Sequence, residues 1–398
     1  MRDIYRHLYD YCSEQPVINT HSHYLPDAQQ RNDLDWLLEN AYASWSGIDH
    51  RAARGEYLRR LRANSYYHWL EAGLRGLSGL DEPLTEANWA AFSDRIATRY
   101  PDARAMLQAL RSECRYERIV LDAYWKPGDN GGHPELFAPT YRINMYLFGW
   151  IEGPTDHNGN SPYPVNGWPM CSDLDEYLQR MDTAIEAAVA AGCSSLKCAA
   201  AYDRTLDFDN PDIVAGRRAY GDPNASKADI KAMQDCVFDR ACAAAARLGV
   251  PMQVHTGLGR ARRTNALQLL ETIERHPDTT FSLMHGGYPW TDDLLCLTHN
   301  CHNVVADICW LPLLSTRRCE TFLEDWIDVG DLDRITWGCD TWHCFESYGA
   351  LLAARQAIAG ALTHMIELGR MDVEYAETFI RHILRENARR LYRNIERA

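Results

Sequence analysis

Apolar positions along the chain fall into two patterns, short continuous runs and longer stretches with helical periodicity. Eight short runs are rich in β-branched and aromatic residues and are bounded by turn residues, which predicts buried strands. The predicted strands are residues 17–24, 116–125, 141–150, 194–202, 250–257, 279–287, 303–310 and 334–342. Helical patterns such as 175–191, 227–248 and 265–275 lie between most of them. This alternation predicts a (β/α)8 TIM barrel, formed as a single domain over residues 1–398.

Two stretches exceed what a minimal barrel needs. Residues 25–115 separate the first two predicted strands and carry helical apolar stripes, one from Leu34 to Tyr42 and one from Trp89 to Ile96. Because this insertion follows the first strand, we expect a helical cap over the C-terminal face, where barrel active sites lie. Residues 203–226 are rich in Asp, Asn, Gly and Pro and predict a long active-site loop on that face.

The net charge of the chain limits the kinds of partner that it is expected to bind. The formal net charge is −14, which argues against nucleic acid and anionic membranes, since both require a basic surface. We therefore expect a small-molecule substrate, while assembly into a homo-oligomer stays open. Only four of the 41 basic residues are lysine, so Lys197, within an apolar run, stands out.

The cysteines and the first residues indicate a compartment. The 13 cysteines include no CxxC pair, and the charged start of the chain does not resemble a signal peptide. We expect free thiols in a reducing cytoplasm. No apolar run reaches 18 residues, so no membrane span is predicted. Dinucleotide-binding, Walker A and G-x-S-x-G motifs are absent from the sequence.

A pair of histidines ends the first predicted strand. His21 and His23 are two residues apart, so on a strand their side chains project from the same face. Neutral imidazoles that converge in this way form half of a metal site.

Three further candidate ligands lie at the ends of later strands, namely His255, His285 and Asp340. In a barrel these positions converge on one axis, which is the geometry that a Zn²⁺-type ion with an open position requires. A lone strand histidine is more often a hydrogen-bonded core residue. However, Gly257 and Gly286 follow the two histidines closely and would permit close approach of the chain. Asp340 has the alternative role of capping the next helix.

Lys197 has three interpretations. Its amine is carboxylated and bridges two metals, or it stays cationic and holds a substrate carboxylate, or it faces outward and reaches solvent along a helix. Candidate substrate-binding residues besides Lys197 are Tyr202, Arg204, Trp310 and Trp342, all at or near predicted strand ends. Arg204 suits a carboxylate or phosphate.

The order of His21-x-His23, Lys197, His255, His285 and Asp340 on eight alternating strands resembles the amidohydrolase superfamily. The segments 254–257, 284–290, 338–340 and 386–392 are similar to its amidohydrolase-related (amidohydrolase 2) branch, which includes nonoxidative decarboxylases. A weaker likeness to uronate isomerases rests on the insertion after His23 and on 340–342 with 347–348.

The resemblance implies a divalent metal held by His21, His23 and Asp340, often with His255, and a supporting or second-metal role for His285. Zinc is the first expectation, with Mn, Fe or Ni as alternatives, as one or two ions. The expected reaction is hydrolysis of an amide, ester or lactone of a small polar, carboxylate-bearing substrate by a metal-activated water. Asp340 would take the proton and His285 would polarise the carbonyl. The alternatives are nonoxidative decarboxylation, uronate-type isomerisation, or a barrel that binds a ligand without catalysis.

Overall fold

The computed structural model describes residues 2–259 and 262–395. Its eight strands form one sheet in which neighbouring strands follow chain order. They are β1 (Val17–Ser22), β2 (Tyr116–Leu121), β3 (Phe137–Arg142), β4 (Ser195–Cys198), β5 (Met252–Val254), β6 (Phe281–Leu283), β7 (Val304–Asp307) and β8 (Ile335–Thr336). The four pairs from β3 to β7 are parallel. This order and the helices between strands confirm the predicted (β/α)8 barrel class.

Helices precede, separate and follow the strands. The α-helices are α1 (Arg2–Glu14), α2 (Leu34–Glu39), α3 (Arg54–Leu61), α4 (Ser65–Ser78), α5 (Trp89–Arg99), α6 (Ala103–Ser112), α7 (Pro162–Asn166), α8 (Leu174–Ala190), α9 (Ile213–Ala219), α10 (Lys227–Leu248), α11 (Leu270–Arg275), α12 (Thr291–Asn300), α13 (Leu311–Leu314), α14 (Thr316–Val329), α15 (Cys344–Glu367), α16 (Val373–Arg381) and α17 (Asn387–Leu391). Short 3-10 segments are Tyr42–Ser46, Asn144–Phe148, Ala200–Tyr202, Ala266–Leu269, His285–Gly287 and Leu332–Arg334, and a π-helix spans His382–Glu386. No helix of the described chain is long and apolar enough to cross a membrane.

The third strand was predicted in the wrong place. The prediction covered 141–150, but β3 ends at Arg142 and the following apolar run folds into the 3-10 segment Asn144–Phe148. The Asn144 side-chain oxygen accepts the backbone N–H of Ala199 at 2.6 Å, a contact that a continuing strand would make with its backbone. A short run of apolar residues does not distinguish these conformations by its periodicity.

The two predicted insertions had different outcomes. Residues 25–115 are helical, as expected, and contain α2 to α6. Residues 203–226 are not one continuous loop, because they include α9. Asp212 begins this helix by accepting the backbone N–H groups of Val214 and Ala215, which is the role of an N-cap residue.

The described chain groups into two compact units. Unit 1 comprises Met1–Ile119 and Ile308–Ala388, and unit 2 comprises Val120–Asp307 and Arg389–Ala398. The single domain stays a prediction. In unit 1, α4 of the insertion packs closely on α15. A Cβ atom built on Gly73 would lie 2.1 Å from the Phe345 carbonyl oxygen, and one built on Gly349 would lie 2.1 Å from that of Trp69. Only glycine permits these backbones to approach so closely.

Unit 2 buries its core between strands β3 to β7 and the helices α8, α9 and α10. Phe208 and Phe238 stack at a centroid distance of 4.1 Å, and Phe281 on β6 is fully buried. The sequence supplies this core through the Ala-rich face of α10, on which Ala241, Ala244 and Ala245 are fully buried.

Candidate metal centre

The end of β1 delivers two histidines to one point in unit 1. The backbone of this strand is tied to the segment after β8, because the His23 N–H donates to the Thr341 carbonyl and the Asp340 N–H to the His21 carbonyl, at 3.0 and 2.9 Å. Asp340 has a φ of +60°, in the left-handed region that Asn and Asp tolerate better than other side chains. This turn aims the Asp340 carboxylate at the two imidazoles.

The three side chains form a compact donor set. The Nε2 atoms of His21 and His23 lie 3.3 and 3.1 Å from Asp340 Oδ1, and the two rings are nearly perpendicular at 4.8 Å. One ligating atom from each residue lies within 4.8 Å of the others. Two imidazole nitrogens and one carboxylate oxygen are the ligands that Zn²⁺ and related divalent ions take in sites with an open position. The predicted residues therefore fit a divalent ion.

Electrostatics keeps the carboxylate of this set ionised. Burial acts to raise the pKa of Asp340, but the hydrogen bonds and charges of His21 and His23 outweigh it and hold the pKa well below its usual range. Asp340 therefore carries its negative charge throughout the neutral pH range.

Tyr42 is hydrogen-bonded to the second carboxylate oxygen of Asp340. Its hydroxyl donates to Asp340 Oδ2 at 2.8 Å and lies at the start of the 3-10 segment Tyr42–Ser46 of the insertion. The sequence placed Tyr42 only in an apolar stripe, because nothing in the helical pattern of residues 34–42 distinguishes a buried ring from a functional hydroxyl.

An aromatic cluster surrounds Tyr42 and consists of Tyr42, Trp45, Tyr66, Trp310 and Trp342. The Tyr42 ring stacks on Tyr66 at 5.2 Å and on Trp310 at 5.1 Å, and meets Trp342 at 4.9 Å. Trp45, which is 57% exposed, meets the edge of Tyr42 at 4.8 Å. Trp310 has a φ of +64°, which is rare for a bulky residue. The structure thus places two predicted substrate-binding residues, Trp310 and Trp342, around Tyr42.

Two further buried groups touch this part of unit 1 at the first turn of α15. Glu346 accepts the backbone N–H of Tyr42 at 2.7 Å, and burial raises its pKa to about 8, with a further contribution from Asp340. His343 is the N-cap of α15, and burial lowers its pKa to about 4. Glu346 could not be identified from the sequence, since a glutamate in a first helical turn is ordinary.

Unit 2 holds the other two predicted histidines, as a hydrogen-bonded pair. His255 Nε2 lies 2.6 Å from the Leu258 carbonyl oxygen, which only accepts, so this nitrogen carries the proton. His255 Nδ1 therefore accepts from His285 Nε2, at 2.8 Å. Both ring nitrogens of His255 are engaged in this arrangement, and its role as a metal ligand stays a prediction, as does that of His285.

Lys197 is buried in unit 2 and is 1% exposed. Its amine donates to the Met284 sulfur at 2.6 Å. The amine does not reach solvent, which removes the interpretation of an outward-facing lysine. Carboxylation and substrate binding both stay predictions for this residue.

The predicted substrate residues of unit 2 have separate environments. Tyr202 lies between the rings of His157 and His255, at 4.8 and 4.5 Å, and is 37% exposed. Arg204 is buried and pairs with Asp235 at 2.9 Å, beside the ring of Phe208. Its guanidinium is thus held by the fold, and its contact with a substrate carboxylate stays a prediction.

Comparisons with known proteins indicate which family the chain resembles. Residues 212–394 match the family model described as Amidohydrolase. The fluG protein of Emericella nidulans is 28% identical over 152 residues, which cover 36% of this chain and 17% of that protein. A uronate isomerase of Streptococcus uberis is 21% identical over 307 residues, which cover 67% of this chain and 63% of the isomerase. The chain therefore spans less than two thirds of each curated relative.

Among solved structures, a uronate isomerase from Thermotoga maritima superposes with a TM-score of 0.78 and 14% identity, covering 98% of this chain and 97% of that one. At this identity the likeness shows a shared fold. The family match over residues 212–394 agrees with the resemblance to the amidohydrolase superfamily, and the structural likeness shows the shared barrel fold. The reaction is a separate question.

Proposed function

We propose that the protein is a metal-dependent enzyme that isomerises a small sugar acid by proton transfer. The observation that carries this proposal is the pair formed by Asp340 and Tyr42, whose carboxylate and hydroxyl are 2.8 Å apart beside two imidazoles. A base and an acid in contact suit a reaction that removes a proton and returns it at a neighbouring atom.

His21, His23 and Asp340 are the residues that would hold the metal. When bound, a divalent ion would supply a Lewis acid for a carbonyl or hydroxyl oxygen of the substrate. Imidazole and carboxylate ligands suit Zn, Mn, Fe and Ni alike, so the donor set leaves the metal's identity open.

The chain's own residues would handle the protons. Aldose–ketose exchange moves one proton between adjacent carbons and another between their oxygens, with no change in composition. Asp340 is ionised and would accept the proton from one carbon and return it to the neighbouring carbon. The Tyr42 hydroxyl would donate a proton to the carbonyl oxygen and recover one from the adjacent hydroxyl group. The exposed Trp45 and the other rings of the aromatic cluster would exclude water and pack against the sugar carbons.

The substrate class draws on the curated match. The similarity to a uronate isomerase extends over 307 residues and 67% of this chain, more than any local motif would give. It supports a carboxylate-bearing sugar as the substrate, although 21% identity leaves the particular sugar acid open.

Hydrolysis is the second candidate, because the segment 212–394 that matches the Amidohydrolase model contains His255, His285 and Asp340. In that reaction Asp340 would take a proton from water and return it to the leaving group. The substrate would then be an amide, ester or lactone rather than a free sugar acid.

One experiment separates the two reactions. The purified protein is loaded with Zn²⁺ or Mn²⁺ and incubated in D₂O with glucuronate and galacturonate, or with N-acyl amino acids and aldonolactones, and products are identified by ¹H NMR. Conversion of a uronate to its ketose isomer supports the proposal. Cleavage of an amide or lactone with no change in the uronates would favour hydrolysis and overturn it. Asp340→Asn is the control for catalysis by a contaminant.

A further inference from the structure

We propose that Glu346 is a positioning residue, which fixes the main chain at Tyr42 so that the phenol reaches Asp340. This inference rests on the proposed function, in which Tyr42 and Asp340 handle protons. Glu346 itself would not touch the substrate.

The contacts hold Tyr42 at both ends. Its backbone N–H donates to Glu346 Oε1 at 2.7 Å, and its hydroxyl donates to Asp340 Oδ2 at 2.8 Å. Glu346 is 1% exposed, so this first bond is shielded from competition with water. Both acceptors come from one short stretch of chain, six residues apart, while Tyr42 comes from the distant insertion.

A second bond runs parallel to the first. His343 Nε2 lies 3.1 Å from the Leu37 carbonyl oxygen, so this nitrogen must be the donor. The other ring nitrogen, Nδ1, then accepts the backbone N–H of Glu346, at 3.2 Å. His343 thereby ties the end of α2 to the first turn of α15, and Glu346 ties the following segment to the same turn. The insertion is thus anchored on both sides of residues 38–41.

Helix α15, which carries Glu346, is itself held in place by its packing on α4. Gly73 and Gly349 let α4 and α15 meet at backbone distance, so the two helices have little freedom to slide. The ring of Tyr42 is confined by Tyr66 and Trp310. Stacking restricts the ring plane, but the position of the hydroxyl along that plane depends on where the backbone is held, which is the contribution of Glu346.

The carboxyl group of Glu346 is neutral at pH 7, unlike that of Asp340. Burial, together with the charge of Asp340, raises the pKa of Glu346 to about 8, so the group is neutral at pH 7 and ionises above it. Asp340 is the charged group that acts on it, and His343 in the same turn stays neutral because burial lowers its pKa to about 4. A neutral carboxyl and an amide offer the same acceptor oxygen to the Tyr42 N–H, so glutamine is a faithful replacement at pH 7.

Three variants test the inference. Glu346→Gln keeps the acceptor, Glu346→Ala removes it, and Glu324→Gln is a matched control in α14, where Glu324 pairs with His364 at 3.0 Å. With ¹³Cζ-labelled tyrosine, the Tyr42 signal is assigned by its loss in Tyr42→Phe. We expect this signal to shift in Glu346→Ala and to stay in place in Glu346→Gln and Glu324→Gln. An unchanged Tyr42 signal in Glu346→Ala would overturn the inference, whether or not the protein isomerises a sugar acid.

Kinetics supplies the second readout once an activity is found. Glu346→Ala is expected to lower kcat about 10²-fold with little change in KM, as a misplaced catalytic group does. In Tyr42→Phe, adding Glu346→Ala should cost nothing more, because both changes remove the same contribution. Fully additive losses would show that Glu346 acts by another route. If Glu346→Ala fails to fold, Glu346→Met, which removes the acceptor and keeps much of the side-chain volume, replaces it in both measurements. An unchanged Tyr42 signal in that variant would count against the inference.

Discussion

Asp340 is both a candidate metal ligand and a residue with an unusual backbone conformation. Its φ of +60° lies in the left-handed region, where most side chains are strained and Asn is nearly as well tolerated as Asp. Asparagine therefore changes the charge of this residue with little cost to the fold.

We predict that Asp340→Asn folds normally and loses at least about 10²-fold in turnover, since the base is lost while the backbone preference is kept. Circular dichroism and steady-state kinetics on the same sample check both parts. Full activity in this variant would refute the assignment of Asp340. Asp307→Asn, a buried residue at the end of β7, is a matched control for the loss of a buried carboxylate.

Tyr42→Phe removes one oxygen atom and leaves the aromatic stack in place. The Asp340 oxygen that loses its donor is buried, so we expect the free energy of unfolding to fall by about 1–3 kcal/mol. We expect kcat to fall about 10²-fold, because a proton donor is lost. Urea unfolding and kcat are the measurements, and a variant with wild-type kcat would leave Tyr42 a purely structural residue.

The secondary-structure elements differ in how reliably the sequence predicts them. Strands β1, β5 and β6 lie where buried apolar runs predicted them, but the predicted spans 250–257 and 279–287 were too long. β5 ends at Val254 and β6 at Leu283, so His255 and His285 follow their strands. The 3-10 segment after β3 and the helix α9 were not predicted, because side-chain contacts of Asn144 and Asp212 decide their conformations.

The candidate site shows the same division. The convergence of His21, His23 and Asp340 was predicted from their places near the ends of the first and last strands of a closed barrel, and backbone bonds between these segments are present. Tyr42 and Glu346 could not be found in this way, since their contact depends on how a helical insertion packs, and helical periodicity gives the buried face without giving its register against a distant helix.

His343 makes the first turn of α15 sensitive to acid. The folded protein holds this imidazole neutral with a pKa of about 4, whereas the unfolded chain protonates it near pH 6.5. The unfolded state therefore binds more protons between these values, and stability falls as pH is lowered from about 6.5 to 4.

We predict that His343→Asn, which keeps a helix-capping side chain, removes this part of the pH dependence. The difference in unfolding free energy between wild type and variant should shift in favour of the variant by up to about 3 kcal/mol between pH 7 and pH 4. Urea melts at several pH values measure the difference, and a constant difference would contradict the buried neutral imidazole. His364, which is exposed on α15, provides a comparison through His364→Asn.

At the scale of the whole molecule, the arrangement predicts how metal and stability are linked. The donor set of unit 1 suits a single divalent ion, and an ion that binds only the folded state adds about 2.7 kcal/mol at a free concentration 100 times Kd. We expect one tightly bound ion per chain, a raised Tm on its addition, and loss of both in His21→Ala.

Metal analysis and thermal melts with and without a chelator check this prediction. Lys197→Met, which places an apolar side chain of similar length in unit 2, should leave that first ion bound. Two tight ions per chain, one of which is lost in Lys197→Met, would instead indicate a carboxylated lysine and favour the hydrolytic candidate.

The make-up of unit 1 has a consequence for biosynthesis. Its residues come from both ends of the described chain, and the Tyr42–Asp340 contact joins positions 298 residues apart. During synthesis the first helices and β1 emerge from the ribosome long before their partners exist, with their apolar faces uncovered. His21 and His23 then supply only two of the three candidate metal ligands until Asp340 is translated. Metal capture by all three ligands therefore cannot precede the synthesis of Asp340, and nascent chains that stall before residue 340 should be the ones that chaperones retain.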